Sequence, residues 1–167
     1  HRLDADTPPF GNGDPEGMAR LAAAALKRSG AGKGYALVVG AADGRLPYEL
    51  AQASELKVYA VDDNSERVAA ARRRLLDTGL YGVRVNVDDA GAPLPNYFAN
   101  LAVVHPARQA GDRGIDPRGL CRVLRPGGGT LIAPYPGTDA GRQSAEALAA
   151  DIRKAGFPAA IEDVAGW

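Results

Sequence analysis

Short β-branched runs recur along the chain, each followed by a stretch with helical spacing, and this alternation limits the fold more than any other feature. YALVVGA (35–41), KVYAV (57–61), VRVNV (83–87), LAVVH (101–105) and GTLIAP (129–134) read as strands, with AAIEDV (159–164) as a sixth. Between them lie helical patterns. PEGMARLAAAALKRSG opens on Pro15 and closes on Gly30, the usual asymmetry of helix ends. VAAARRRLLDTG puts Val68, Ala71 and Leu75 on one face and stops at Gly79. Just before it, Asp63, Asn64, Ser65 and Glu66 read as a capping box with Asp63 at the N-cap. Asp116-Pro117 opens a short helix, and Ala145, Leu148, Ile152 and Ala155 make the stripe of a last one that ends at Gly156. Strands joined through helices mean βαβ units and a parallel sheet. The solid apolar runs YALVVGA and LAVV suit strands covered on both faces. Residues 1–14, rich in Pro and Gly, read as an irregular arm, and residues 15–167 as one domain.

The bulk properties narrow the function. The chain has 167 residues, and its 20 basic side chains balance 20 acidic ones. A neutral chain with few aromatics lacks the basic surplus and stacking platforms of nucleic-acid binders, so no nucleic-acid partner is expected. One cysteine permits no intrachain disulfide, and no Cys/His cluster has metal-ligand spacing, so no metal is expected. No apolar run is long enough to cross a membrane and no signal peptide is legible, which leaves the cytoplasm as the default location.

Open parallel sheets bind ligands outside the carboxyl ends of their strands. After the first strand comes the loop Gly40, Ala41, Ala42, Asp43, Gly44, where glycines let the backbone turn and approach a ligand. It fails the dinucleotide fingerprint at two of three glycine positions, which counts against a nicotinamide oxidoreductase. After the second strand comes Asp62, whose carboxylate offers acceptors for ribose hydroxyls, beside Asp63. After the third come Asp88, Asp89 and Ala90, where a carboxylate suits an exocyclic amine. His105 ends the fourth strand and is the candidate general base. Cys121 falls in the apolar pattern of its helix and reads as packing.

The order of these features resembles the class I S-adenosylmethionine-dependent methyltransferases, over about residues 15–165. The piece RVLRPGGGTLI (122–132) is similar to that family's helix, Pro-Gly-Gly turn and fifth strand, and VVGAADGRL looks like its first motif. VYAVDDNSERVAAARRRL matches its second strand, acid and helix, and Val87 to Ala90 with Leu94-Pro95 and Phe98 looks like the run into strand four. The resemblance implies a three-layer αβα sandwich with a mostly parallel, doubly wound, Rossmann-like sheet of six or seven strands. It implies S-adenosylmethionine as cofactor. Gly40, Ala41, Ala42 and Gly44 would lie along its methionine part, Asp62 at the ribose, Asp63 beside the adenine, and Asp89 with Ala90 at the adenine amine. The chain departs from the pattern at three places. Val38 stands where the family has an acid that helps to orient the loop, Ala42 replaces the middle glycine, and Ala99-Asn100 replaces the usual acid after the Phe. Two functions follow as expectations: a methyltransferase acting on a small molecule, or a catalytically inactive module docked against neighbouring domains of a larger chain.

Overall fold

The computed structural model describes residue 10, residues 15–106 and residues 116–162. The arm expected at 1–14 lies outside the described residues apart from Phe10, which is buried and packs its ring on Tyr48. The elements run α1 (Pro15–Ser29), β1 (Lys33–Val39), α2 (Arg45–Gln52), β2 (Glu55–Asp62), α3 (Ser65–Asp77), β3 (Val85–Asp89), β4 (Leu101–Val104), α4 (Pro117–Val123), β5 (Thr130–Ile132) and α5 (Asp139–Lys154). The five strands form one wholly parallel sheet in the order β3-β2-β1-β4-β5. The α/β, doubly wound fold class expected from the sequence is the one observed. It has five strands among the described residues rather than six or seven. Residues 159–162 of the expected sixth strand are irregular, and 163–164 lie outside the described residues.

The sheet's two faces are packed differently. On the first, α1, α2 and α3 bury Ala36 and Val38 of β1, Leu56, Val58 and Ala60 of β2, and Val85 and Val87 of β3. Leu46 and Leu50, one turn apart on α2, are fully buried there, each burial worth about 1.5–3 kcal/mol. On the second face, α4 covers Leu37, Val39, Val61, Ala102 and Val104, and α5 packs behind α4. No helix joins β3 to β4, since residues 90–100 are turns and extended chain. Tyr35, Lys57 and Asn86 on that side are therefore exposed. The alternating pattern of VRVNV signals a strand with one wet side, whereas the solid LAVV is buried at every position.

The helix termini show why each helix starts where it does. α3 is capped by Asn64, whose side-chain oxygen accepts from the Glu66 and Arg67 N–H groups. That corrects the expected capping box by one residue. Asn64 is the residue with extended backbone, and Asp63 uses its carboxylate on Arg67 instead. Asp116 caps α4 in the same way, and Gly30 and Gly156, both with positive φ, follow α1 and α5.

Candidate functional site

The strand order turns at β1. The chain leaves β1 through α2 on one face and leaves β4 toward α4 on the other, so the topological switch point, where open parallel sheets bind ligands, lies between the carboxyl ends of β1 and β4. The loop at residues 40–44 and His105 stand at that point. Gly40 has φ 95° and its N–H donates to the Val61 carbonyl oxygen, 2.8 Å away. Ala41 is fully buried. Ala42 sits at φ 47°, a left-handed backbone that a glycine adopts without strain. Gly44, at φ 88°, is the N-cap of α2, and a Cβ there would meet Ala71 at 3.3 Å. The loop thus runs tightly past the strand ends. Val38, in the position of the family's acid, points into the first-face core.

Another carboxylate tethers the loop. Asp62, only 1% exposed, accepts from the Ala42 N–H at 3.1 Å through Oδ2. Its Oδ1 accepts from the Asn64 N–H at 3.0 Å and from Arg67 Nε at 2.8 Å. Burial pushes this carboxyl up, but the Arg67 hydrogen bond and the two N–H groups outweigh burial and hold it below the ordinary value. Arg67, whose sequence signal was its spacing four residues beyond Asp63, is the residue the motif reading missed. Its guanidinium spans both acids, with a second N–H 2.9 Å from Asp63 Oδ1.

Asp89 stands beside Asp62 in the sheet register, but it is exposed and its Oδ1 accepts from the Gly91 N–H at 2.8 Å. The Ala90 N–H is committed to the Asp62 carbonyl oxygen, so Ala90 presents its methyl group and not a donor. Asp89 borders a cleft of about 520 Å³ shared with Ser65, Val68, Arg72, Asp88 and Gly91, within the size range of small-molecule sites. Residues 40–44 do not line it. A smaller cavity of about 180 Å³ lies between Ala90, Ala92, Pro93 and Leu94 and the side chains of Leu37, Leu120, Asp116 and Arg122. His105, 8% exposed, is held by its backbone N–H to the Val39 carbonyl oxygen, which places it in register beside Gly40. Cys121 is buried, and burial together with the Asp116 charge pushes its thiol up, as suits a packing residue. Among the described residues, no helix is long and apolar enough to cross a membrane.

The structure therefore gathers Gly40, Ala41, Ala42, Asp62, Asp63, Asp89 and Ala90 along three adjacent strand ends, with Gly44 at the first turn of α2 and His105 on the far side of β1. No protein-family model matches the chain, and no curated protein matches it. Solved structures do. A protein of Methanococcus maripaludis assigned as an S-adenosyl-L-methionine-dependent methyltransferase superposes with a TM-score of 0.62 at 22% identity, over 83% of this chain and 64% of that one. A SAM-dependent methyltransferase from Aquifex aeolicus gives 0.63 at 20% identity, over 87% and 89%. The phosphoethanolamine N-methyltransferase 2 of Haemonchus contortus, solved with S-adenosyl-L-methionine, gives 0.61 at 20% identity, over 83% and 36%. The chain thus spans just under two-thirds of the Methanococcus protein and about a third of the Haemonchus one. The described chain has the fold of the class I S-adenosylmethionine-dependent methyltransferases.

Proposed function

We propose that this chain binds S-adenosylmethionine and transfers its methyl group to a small-molecule acceptor. The observation that carries the reading is the buried Asp62 carboxylate. It stands at the end of β2, ties down the glycine-bordered loop after β1 through the Ala42 N–H, and lies in register with Asp89. The residues present fit such a ligand. Ala42 takes the left-handed path of the glycine it replaces, so the loop backbone keeps its close course along the strand ends. Gly40, Ala41, Ala42 and Gly44 would flank the methionine part. Asp62 would receive the ribose, Asp63 would lie beside the adenine, and Asp89 would accept from its amine over the Ala90 methyl. When bound, the cofactor supplies an electrophilic methyl on a sulfonium. The chain's own task is to align an acceptor behind that methyl and exclude water, which needs no fixed nucleophile. His105, beside Gly40 at the end of β4, would take a proton from a hydroxyl or amine acceptor. Neutral overall charge suits a small acceptor rather than nucleic acid.

Calorimetric titration with S-adenosylmethionine and S-adenosylhomocysteine, with NAD as control, tests the reading. Micromolar binding of the sulfur nucleotides alone, lost in Asp62→Ala, is expected. Absence of binding to both would leave the inactive module docked in a larger protein. Unchanged turnover in His105→Ala would remove that residue from the mechanism.

A further inference from the structure

Asp62 is nearly saturated before any ligand arrives. A carboxylate has about four lone-pair positions, two on each oxygen. Oδ1 already accepts from the Asn64 N–H and from Arg67 Nε, and Oδ2 accepts from the Ala42 N–H. Among the described residues, one acceptor position remains, on Oδ2. Arg67 is not easily displaced. Its fork is fastened at two points, to Asp62 and Asp63, and a charge-assisted guanidinium bond is stronger than one from a neutral hydroxyl. Removing the guanidinium would also leave a carboxylate that is 1% exposed without its countercharge. The Asn64 and Ala42 N–H groups are backbone donors, placed by the N-cap of α3 and by the loop itself, and cannot swing away as side chains can.

We infer that Arg67 is a specificity-determining residue, which restricts Asp62 to a single ribose hydroxyl of an adenosine-type ligand. The inference rests on the proposed cofactor reading and sharpens it. A free carboxylate at this position takes both vicinal hydroxyls and discriminates against the loss of either. Here the hydroxyl nearer Oδ2 is held, while the other lies against an oxygen whose positions are filled by Arg67 and Asn64. The site therefore tolerates a ribose modified or deoxygenated at that second hydroxyl. Arg67 acts through Asp62 and is a positioning residue, with no part in the reacting atoms.

The test is a calorimetric comparison of S-adenosylhomocysteine with its 2′-deoxy and 3′-deoxy derivatives, on the wild type and on Arg67→Met. In the wild type, one deoxy ligand should bind within about twofold of the parent and the other about tenfold more weakly, the loss expected for one hydrogen bond. In Arg67→Met, which frees an acceptor on Oδ1, both deoxy ligands should fall about tenfold below the parent. Wild-type loss on both deoxy ligands, or on neither, would overturn the inference even if the variant did not fold. So would a folded Arg67→Met protein with the wild-type pattern. A wild type that binds no S-adenosylhomocysteine at all would instead sink the cofactor reading, and this inference with it.

Discussion

Asp62 and Asp89 are register partners on adjacent strands, at the same level of the sheet, yet their surroundings have little in common. Asp62 ends an inner strand. The loop after β1 passes on one side and the N-terminus of α3 on the other, so its carboxylate is enclosed and supplied with three donors. Among the described residues, Asp89 ends the edge strand, with no further strand beyond it, and its side chain closes its own turn onto the Gly91 N–H. The charge at the end of β3 is balanced through its neighbour. Asp88 accepts from Arg72 at 2.6 Å and from the Tyr59 hydroxyl, while Arg72 Nε also donates to the Val87 carbonyl oxygen on the open edge. Identical side chains thus have different duties. The inner acid holds the loop after β1 in place, whereas the edge acid closes only its own turn.

Four substitutions put that contrast at risk. Asp62→Ala should have the largest effect, because it removes the acceptor of two backbone N–H groups and of half of the Arg67 fork. A loss of about 2–3 kcal/mol in urea unfolding is expected, together with loss of nucleotide binding. The same carboxylate gives the wild type an acid limb. With its folded pKa below the ordinary 3.8, its contribution is complete above that value and disappears as pH falls through the lowered one. Asp62→Ala should lack that part of the acid loss. Asp89→Ala should leave stability within about 0.5 kcal/mol while weakening S-adenosylhomocysteine about tenfold. Equal destabilisation by the two substitutions would erase the distinction between the acids.

Ala42→Gly bears on the loop that Asp62 holds. Relief of a left-handed alanine, offset by glycine's greater freedom when unfolded, should raise stability by about 0.5–1 kcal/mol, seen as a higher urea midpoint with unchanged slope. A lower midpoint would mean that the methyl group packs favourably there. Tyr59→Phe should have the smallest effect at neutral pH, under about 1 kcal/mol. Burial, and then the hydrogen bond to Asp88, push the Tyr59 hydroxyl up to about 12 from 10.0. The wild type therefore keeps this contribution below pH 10 and loses it as pH rises toward 12. Tyr59→Phe should lack that alkaline loss, and an unchanged alkaline limb would show that Tyr59 is not its source.

Much of this was legible in the order of residues. The buried face of α3, with Val68, Ala71 and Leu75, follows from helical period alone, and the start of α4 from Asp116-Pro117. The loop after β1 and the acids after β2 and β3 were located by their place behind apolar runs. The cap of α3 was misplaced by one residue, because Asp63 and Asn64 are both good caps and only the course of the backbone chooses between them. The wet second face of β3 corresponds to the alternation in VRVNV. That alternation shows that one side of the strand is wet without showing which neighbours are missing.

The sequence by itself determined the elements, the parallel sheet and the placing of candidate acids at strand ends, because these depend on local period, turn chemistry and caps, which act over a few residues. Only the tertiary structure decided that Arg67 neutralises Asp62, that Asp62 rather than a residue at position 38 ties the loop, and that Ala90 has no N–H to offer. Those outcomes depend on which chain segments meet across the sheet and how many lone pairs each acceptor has left. Such contacts join groups as far apart as Ala42 and Asp62, and no local pattern records them.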